Sequence, residues 1–203
     1  MYAELKRAWS ELTSAGQMFE VHTVEVRGVP IRSYAHAPPS LREVWLSTAG
    51  KGEADYLVYA DARISYSEAH RQVAALASSL QRMGVGSGDH VAIAMRNYPE
   101  WMLAYWAITS IGAVVVGINA WWVPHELAFA LEDSKPRVFI ADRERLQRLH
   151  EIEGGAAEMQ LIAVRCDGDL PPGAVHWSEL TSADAPLPDV QVDPDADACI
   201  FYT

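Results

Sequence analysis

Cysteine is nearly absent: Cys166 and Cys199 are the two in the chain. They lie far apart and form no CxxC pair, so neither a disulfide-stapled scaffold nor a zinc knuckle is indicated. Two buried thiols acting as small hydrophobes are the expectation. No apolar run reaches the roughly 18 residues of a membrane span, and the opening MYAELKRAWSEL is too charged for a secretory signal. These absences predict a cytoplasmic chain with no transmembrane span.

Basic residues are also missing, but only from one end. Residues 1–150 hold 15 Lys/Arg against 16 Asp/Glu, whereas residues 151–203 hold one, Arg165, against 11. A chain with a net charge of -11 and no basic stripe cannot neutralise many phosphates, which disfavours nucleic-acid binding. The acidic stretch reads as solvated surface and linker.

What remains is half apolar, enough for a sizeable core in 203 residues. Residues 1–55 are punctuated by Pro38, Pro39, Gly50 and Gly52 and predict an irregular amino-terminal arm with short helices, such as LREVWL at 41–46. An α/β subdomain over 56–203 follows. YLVYA and RISY, joined by Asp61 and Ala62, predict a small hairpin. Ser67 is placed to cap a helix whose face is Ala69, Val73, Leu76, Ala77, Leu80 and Met83, ended by Gly84. HVAIAM (90–95) reads as a strand. Asn97 with Pro99 and Glu100 then reads as the start of a helix presenting Trp101, Ala104, Tyr105 and Ile108.

AVVVGI (113–118) is too uniformly apolar to have a wet face, the mark of a parallel strand covered on both sides. A helix from Pro124 with Leu127, Ala128 and Leu131 inward, strand RVFIA (137–141), a short helix to His150, strand LIAV (161–164) and a last buried strand, ACIFYT (198–203), continue the alternation. The predicted fold is a mostly parallel doubly wound α/β sheet with flanking helices, the arm and the hairpin added, and binding at the carboxyl ends of strands.

Several apparent motifs fail on geometry. GVGSG at 84–88 lies after a helix and before a strand, the reverse of a dinucleotide fingerprint. GAVVVG at 112–117 is followed by Ile118 and Asn119, where a phosphate-binding Lys and Ser/Thr are needed. His125-Glu126 and His150-Glu151 lack the second histidine of a zinc helix. Asp89 beside His90 has no serine elbow to serve. Trp121 and Trp122 are adjacent indoles after a strand, for which core packing is the expectation and a pocket or partner surface the alternative.

From Ile64 to Asp142 the chain resembles the adenylate-forming superfamily of acyl-CoA synthetases, luciferases and peptide-synthetase adenylation domains. The resemblance is carried by ISYSEAHRQVAALASSLQRMGVGSGDHVAIAMRNYPEW and then AITSIGAVVVGINAWWVPHELAFALEDSKPRVFIAD, in matching order and spacing. MFEVHTVEVRGVPIRSYAHAPPSLREVW is similar to the arm of the fatty-acyl-CoA ligase branch. The resemblance implies that ACIFYT leads into a Ser/Thr/Gly-rich ATP phosphate loop, with Thr203 as the one binding residue that carries over and no catalytic or metal-binding residue within the chain.

It further implies ATP, Mg²⁺ and CoA as the cofactors of the full-length enzyme, a carboxylic acid, by the arm a fatty acid, as substrate, and the remainder of a ligase chain as partner. A fragment on its own would be inactive and hold no cofactor tightly. A homo-oligomer is left open. The contrasting expectation is a self-standing non-catalytic α/β module that binds a protein through Trp121, Trp122 and the acidic carboxyl-terminal face.

Overall fold

The computed structural model describes residues 1–155 and 159–202. Its contacts divide the chain into two units, Met1–Ser40 and Leu41–Thr203. In the first, helix α1 (Tyr2–Leu12) precedes an antiparallel hairpin of β1 (Val21–Val26) and β2 (Val29–Tyr34). Arg27 and Gly28 turn the hairpin, both at positive φ (51° and 77°), the geometry that matches the twist of the flanking strands. This is more regular than the arm with short helices that the sequence predicts. Arg-Gly makes the turn without the Asn or Asp that usually signals one.

The second unit opens with α2 (Leu41–Leu46) and the hairpin of β3 (Asp55–Tyr59) and β4 (Ala62–Ser65). Helix α3 (Tyr66–Arg82) starts two residues earlier than predicted. Its cap is Ser65, whose hydroxyl accepts from the Glu68 N–H at 3.2 Å. Ser67 is already inside the first turn. Ala69, Val73, Leu76, Ala77 and Leu80 are buried as the spacing predicts, and Gly84 takes the left-handed conformation just past the end (φ 85°).

Strand β5 (His90–Ala94), helix α4 (Pro99–Ser110), β6 (Val114–Gly117), α5 (Pro124–Ser134), β7 (Val138–Asp142), α6 (Arg143–His150) and β8 (Gln160–Val164) then alternate. The cap of α4 is Tyr98, not Asn97, and no side chain caps it. Its buried residues include Leu103, Ala104, Ala107 and Ile108, with Trp101 and Tyr105 half-buried, because α4 is packed on more than one side. Two further elements escape a reading by hydrophobic period because they are so short: β9 (Ala174–His176) and α7 (Trp177–Thr181). The chain returns through an irregular stretch to β10 (Cys199–Phe201).

Six strands pair in the order β10-β6-β5-β7-β8-β9, every pairing parallel. Alternate residues of each strand feed opposite cores. Val91, Ile93, Val115, Ile140 and Ile162 pack with α3, α4 and α7, while Ala92, Val116, Phe139, Ala141 and Leu161 pack with α5 and α6. Each large buried side chain contributes about 1.5–3 kcal/mol. The sheet is therefore doubly wound, as predicted. One expectation fails at its edge: β10 lies outermost, and Phe201 is 65 % exposed rather than buried.

Candidate functional site

The strand order locates a crevice. From β5 the chain passes into α4 on one face of the sheet, and from the neighbouring β6 into α5 on the other. Right-handed crossovers in opposite directions force this split, and the two loops diverge where ligands bind in open parallel sheets. A cavity of about 640 Å³ lies there, lined by residues that include Tyr59, Arg96, Asn97, Trp101, Asn119 and Trp121.

The Arg96 guanidinium sits 4.1 Å from the centroid of the Trp121 ring, a cation–π contact. Trp121 is 66 % exposed, so its predicted place in the core is corrected. Its backbone N–H donates to Asn119 Oδ1 at 2.9 Å, which fixes the turn that turns the indole outward. Beside the crevice, Arg165 lies against the rings of Tyr98 (4.5 Å) and Tyr59 (4.8 Å) and pairs with Glu100 Oε1 at 2.9 Å.

Beneath the loops lies a buried ion pair. Asp142 ends β7 and caps α6, accepting from the Arg145 backbone N–H at 3.2 Å, while its carboxylate also receives Arg145 Nη1 at 3.1 Å. The same carboxylate accepts from the Arg96 N–H at 3.2 Å. Arg145 then donates through Nε and Nη2 to the Ala120 carbonyl at 2.8 and 2.6 Å. One side-chain pair thus connects the loops after β5, β6 and β7. No charge-pattern argument singled out these residues, although an Asp at a strand end with an Arg three positions on is the signal that marks them.

Residues 44–203 match the AMP-binding enzyme family. The chain belongs to that family. Over 155 residues it is 31 % identical to a 3-hydroxybenzoate–CoA/4-hydroxybenzoate–CoA ligase of Thauera aromatica, covering 76 % of this chain and 30 % of that one. Over 144 residues it is 28 % identical to a 4-coumarate–CoA ligase of Humulus lupulus, covering 69 % and 26 %. Acetoacetyl-CoA synthetase of Streptomyces lividans shares the fold, with a TM-score of 0.73 at 20 % identity over 94 % of this chain and 32 % of that one. The chain spans less than a third of the length of these three proteins.

Thr203, the phosphate-loop residue implied by the resemblance, lies outside the described residues. Tyr202 before it packs edge-on against Trp122 (5.8 Å) and Phe129 (6.3 Å), and its hydroxyl donates to Asp133 Oδ2 at 2.8 Å. Burial, followed by the neighbouring Asp133 carboxylate, holds its phenol above the usual tyrosine range. Asp89 and His90 are committed to structure: Asp89 pairs with Arg137 at 2.7 Å, and His90 Nδ1 lies 2.5 Å from the Ser134 carbonyl. Among the described residues no cluster of three His, Cys, Asp or Glu could hold a metal ion, and no helix is long and apolar enough to cross a membrane.

Proposed function

We propose that these residues form the amino-terminal part of an ATP-dependent carboxylate:CoA ligase. In this reading a carboxylic acid attacks the α-phosphorus of ATP to give an acyl-adenylate and pyrophosphate. The thiol of CoA then displaces AMP to give a thioester. Adenylation replaces a poor oxide leaving group by a phosphate ester, and cationic groups offset the charge that develops on phosphate. The match of residues 44–203 to the family, over the whole parallel sheet, carries the reading. It favours the ligase over a non-catalytic partner-binding module.

In this reading the described residues contribute the frame and not the partners for ATP and Mg²⁺. They contribute the β5/β6 crevice and the frame that leads to Tyr202. We infer that the phosphate loop begins at Thr203 and that the rest of the ligase chain provides the metal, phosphate and CoA contacts, in the cytoplasm where ATP and CoA are plentiful. We keep the domain division at 1–55 and 56–203 as part of this reading. For the acid, the amino-terminal arm supports a fatty acid, and the relatives named for hydroxybenzoate and coumarate support an aromatic one.

Carboxylate-dependent exchange of labelled pyrophosphate into ATP tests the proposal, with fatty and aromatic acids compared on a chain extended to the length of the relatives. Exchange by the extended chain and none by the 203 residues alone is the expected result. An extended chain that exchanges with neither class of acid overturns it.

A further inference from the structure

The loop between β6 and α5 is held from below by two arginines of α6. Arg148 Nη1 donates to the carbonyls of Ala120 (2.8 Å) and Trp122 (2.9 Å), and Arg145 donates twice more to Ala120. A single backbone carbonyl thus receives N–H groups from two guanidinium forks. The forks are themselves fixed: Arg145 by Asp142 and Glu144, Arg148 by Glu144. Planar guanidinium groups held in this way pin a loop where a lysine, a single mobile charge, would not.

What the pinned loop carries is Trp122, whose ring meets that of Tyr202 at 5.8 Å and 65°. Tyr202 is held on α5 too, where its hydroxyl lies 2.8 Å from Asp133 Oδ2 and 3.3 Å from the Ala130 carbonyl. It follows a three-residue strand at the sheet edge that pairs with β6, where Phe201 stands opposite Gly117. A Cβ at Gly117 would lie 3.1 Å from the Phe201 ring, so β10 and the start of the loop are already in close contact. One path from α6 to the end of β10 therefore runs through the Ala120 and Trp122 carbonyls and the Trp122 indole, beside the contacts of Tyr202 with α5.

We propose that Arg148, with Arg145 beside it, is a positioning residue that helps to set the place of Tyr202 through the loop at 119–123. This rests on the ligase reading only in its consequence: there the segment after Tyr202 binds the phosphates of ATP, so loosening the clamp weakens ATP use more than carboxylate use.

Arg148→Gln is the variant to test, because Arg148 is 22 % exposed and its loss does not orphan Asp142 as loss of Arg145 would. Hydrogen exchange on the 203-residue chain should quicken in peptides covering 119–123 and 199–202, with α3 unchanged. Arg148→Lys should give an intermediate effect. Faster exchange at 119–123 with 199–202 unmoved overturns the proposal.

In the extended ligase the same variant should raise KM for ATP about tenfold while KM for the carboxylate stays within about twofold. Equal shifts in both constants, or in neither, also overturn it. If the unmodified extended chain performs no exchange, the ligase reading fails, and the exchange pattern of the shorter chain still decides the positioning role.

Discussion

Asp142 accepts a hydrogen bond from the backbone N–H of Arg96, 46 positions earlier in the chain, at 3.2 Å. Through it the carboxyl ends of β5 and β7 share one buried carboxylate, and Arg145 extends the link to Ala120 after β6. The crevice walls are thus set by a charge pair that lies under them.

Breaking that pair should be costly. Asp142 and Arg145 side chains are 8 % and 3 % exposed, so removing the Asp142 carboxylate leaves buried Arg145 with the half-exposed Glu144 as its counter-ion. Asp142→Asn should destabilise by at most about 3–5 kcal/mol, read as a lower midpoint in urea. Adding Arg145→Met should recover part of the loss; a double variant weaker than Asp142→Asn alone would contradict this account.

The cap of α3 separates two nearby serines. Ser65→Ala removes the acceptor for Glu68 N–H and should cost about 1 kcal/mol. Ser67 lies within the helix on its exposed side, so Ser67→Ala should change little. Equal thermal shifts in the two variants would place the cap elsewhere.

Two glycines at positive φ should respond differently to alanine. Gly84 (φ 85°) has nothing within 4 Å of an added Cβ, so it carries only the backbone cost, about 1 kcal/mol. At Gly112 (φ 73°) the added Cβ would lie 2.9 Å from Ser87 Oγ and 3.3 Å from Ser87 Cβ. Gly112→Ala should therefore unfold at lower denaturant than Gly84→Ala, and Ser87→Gly should relieve the difference.

His70 stacks on Trp45 with centroids 4.0 Å apart, and burial pushes its imidazole below the ordinary value of 6.5. The unfolded chain then binds a proton that the folded chain refuses, so stability rises with pH across this window. The contribution is complete above pH 6.5 and is lost as pH falls towards the lowered value. Thermal melts at a series of pH values should show a smaller acid-side loss for His70→Phe than for the parent. An unchanged slope would mean that other groups account for it.

The parallel sheet was legible in the sequence because its strands are covered on both faces. AVVVGI and RVFIA admit no wet side, and the α3 face repeats at three and four residues, so burial alone dictates element type. Local chemistry marks Gly84 as a helix end for the same kind of reason: only the residue itself and its own turn are involved. The cap of α3 lies at Ser65 and not at the expected Ser67, because a period of three and four defines the face of a helix and not the turn at which it starts.

The crevice was decided by tertiary structure. That loops after β5 and β6 part to opposite faces depends on strand order, a relation between segments that no window of sequence contains. Trp121 was read as core because adjacent apolar residues usually are, yet the turn made by Asn119 points it outward beneath Arg96. Asp142 and Arg145 look like ordinary helix-start charges in the sequence. Only the approach of Arg96 and Ala120 from distant loops makes them a buried pair, because desolvation is a property of everything that packs around a charge and not of its neighbours along the chain.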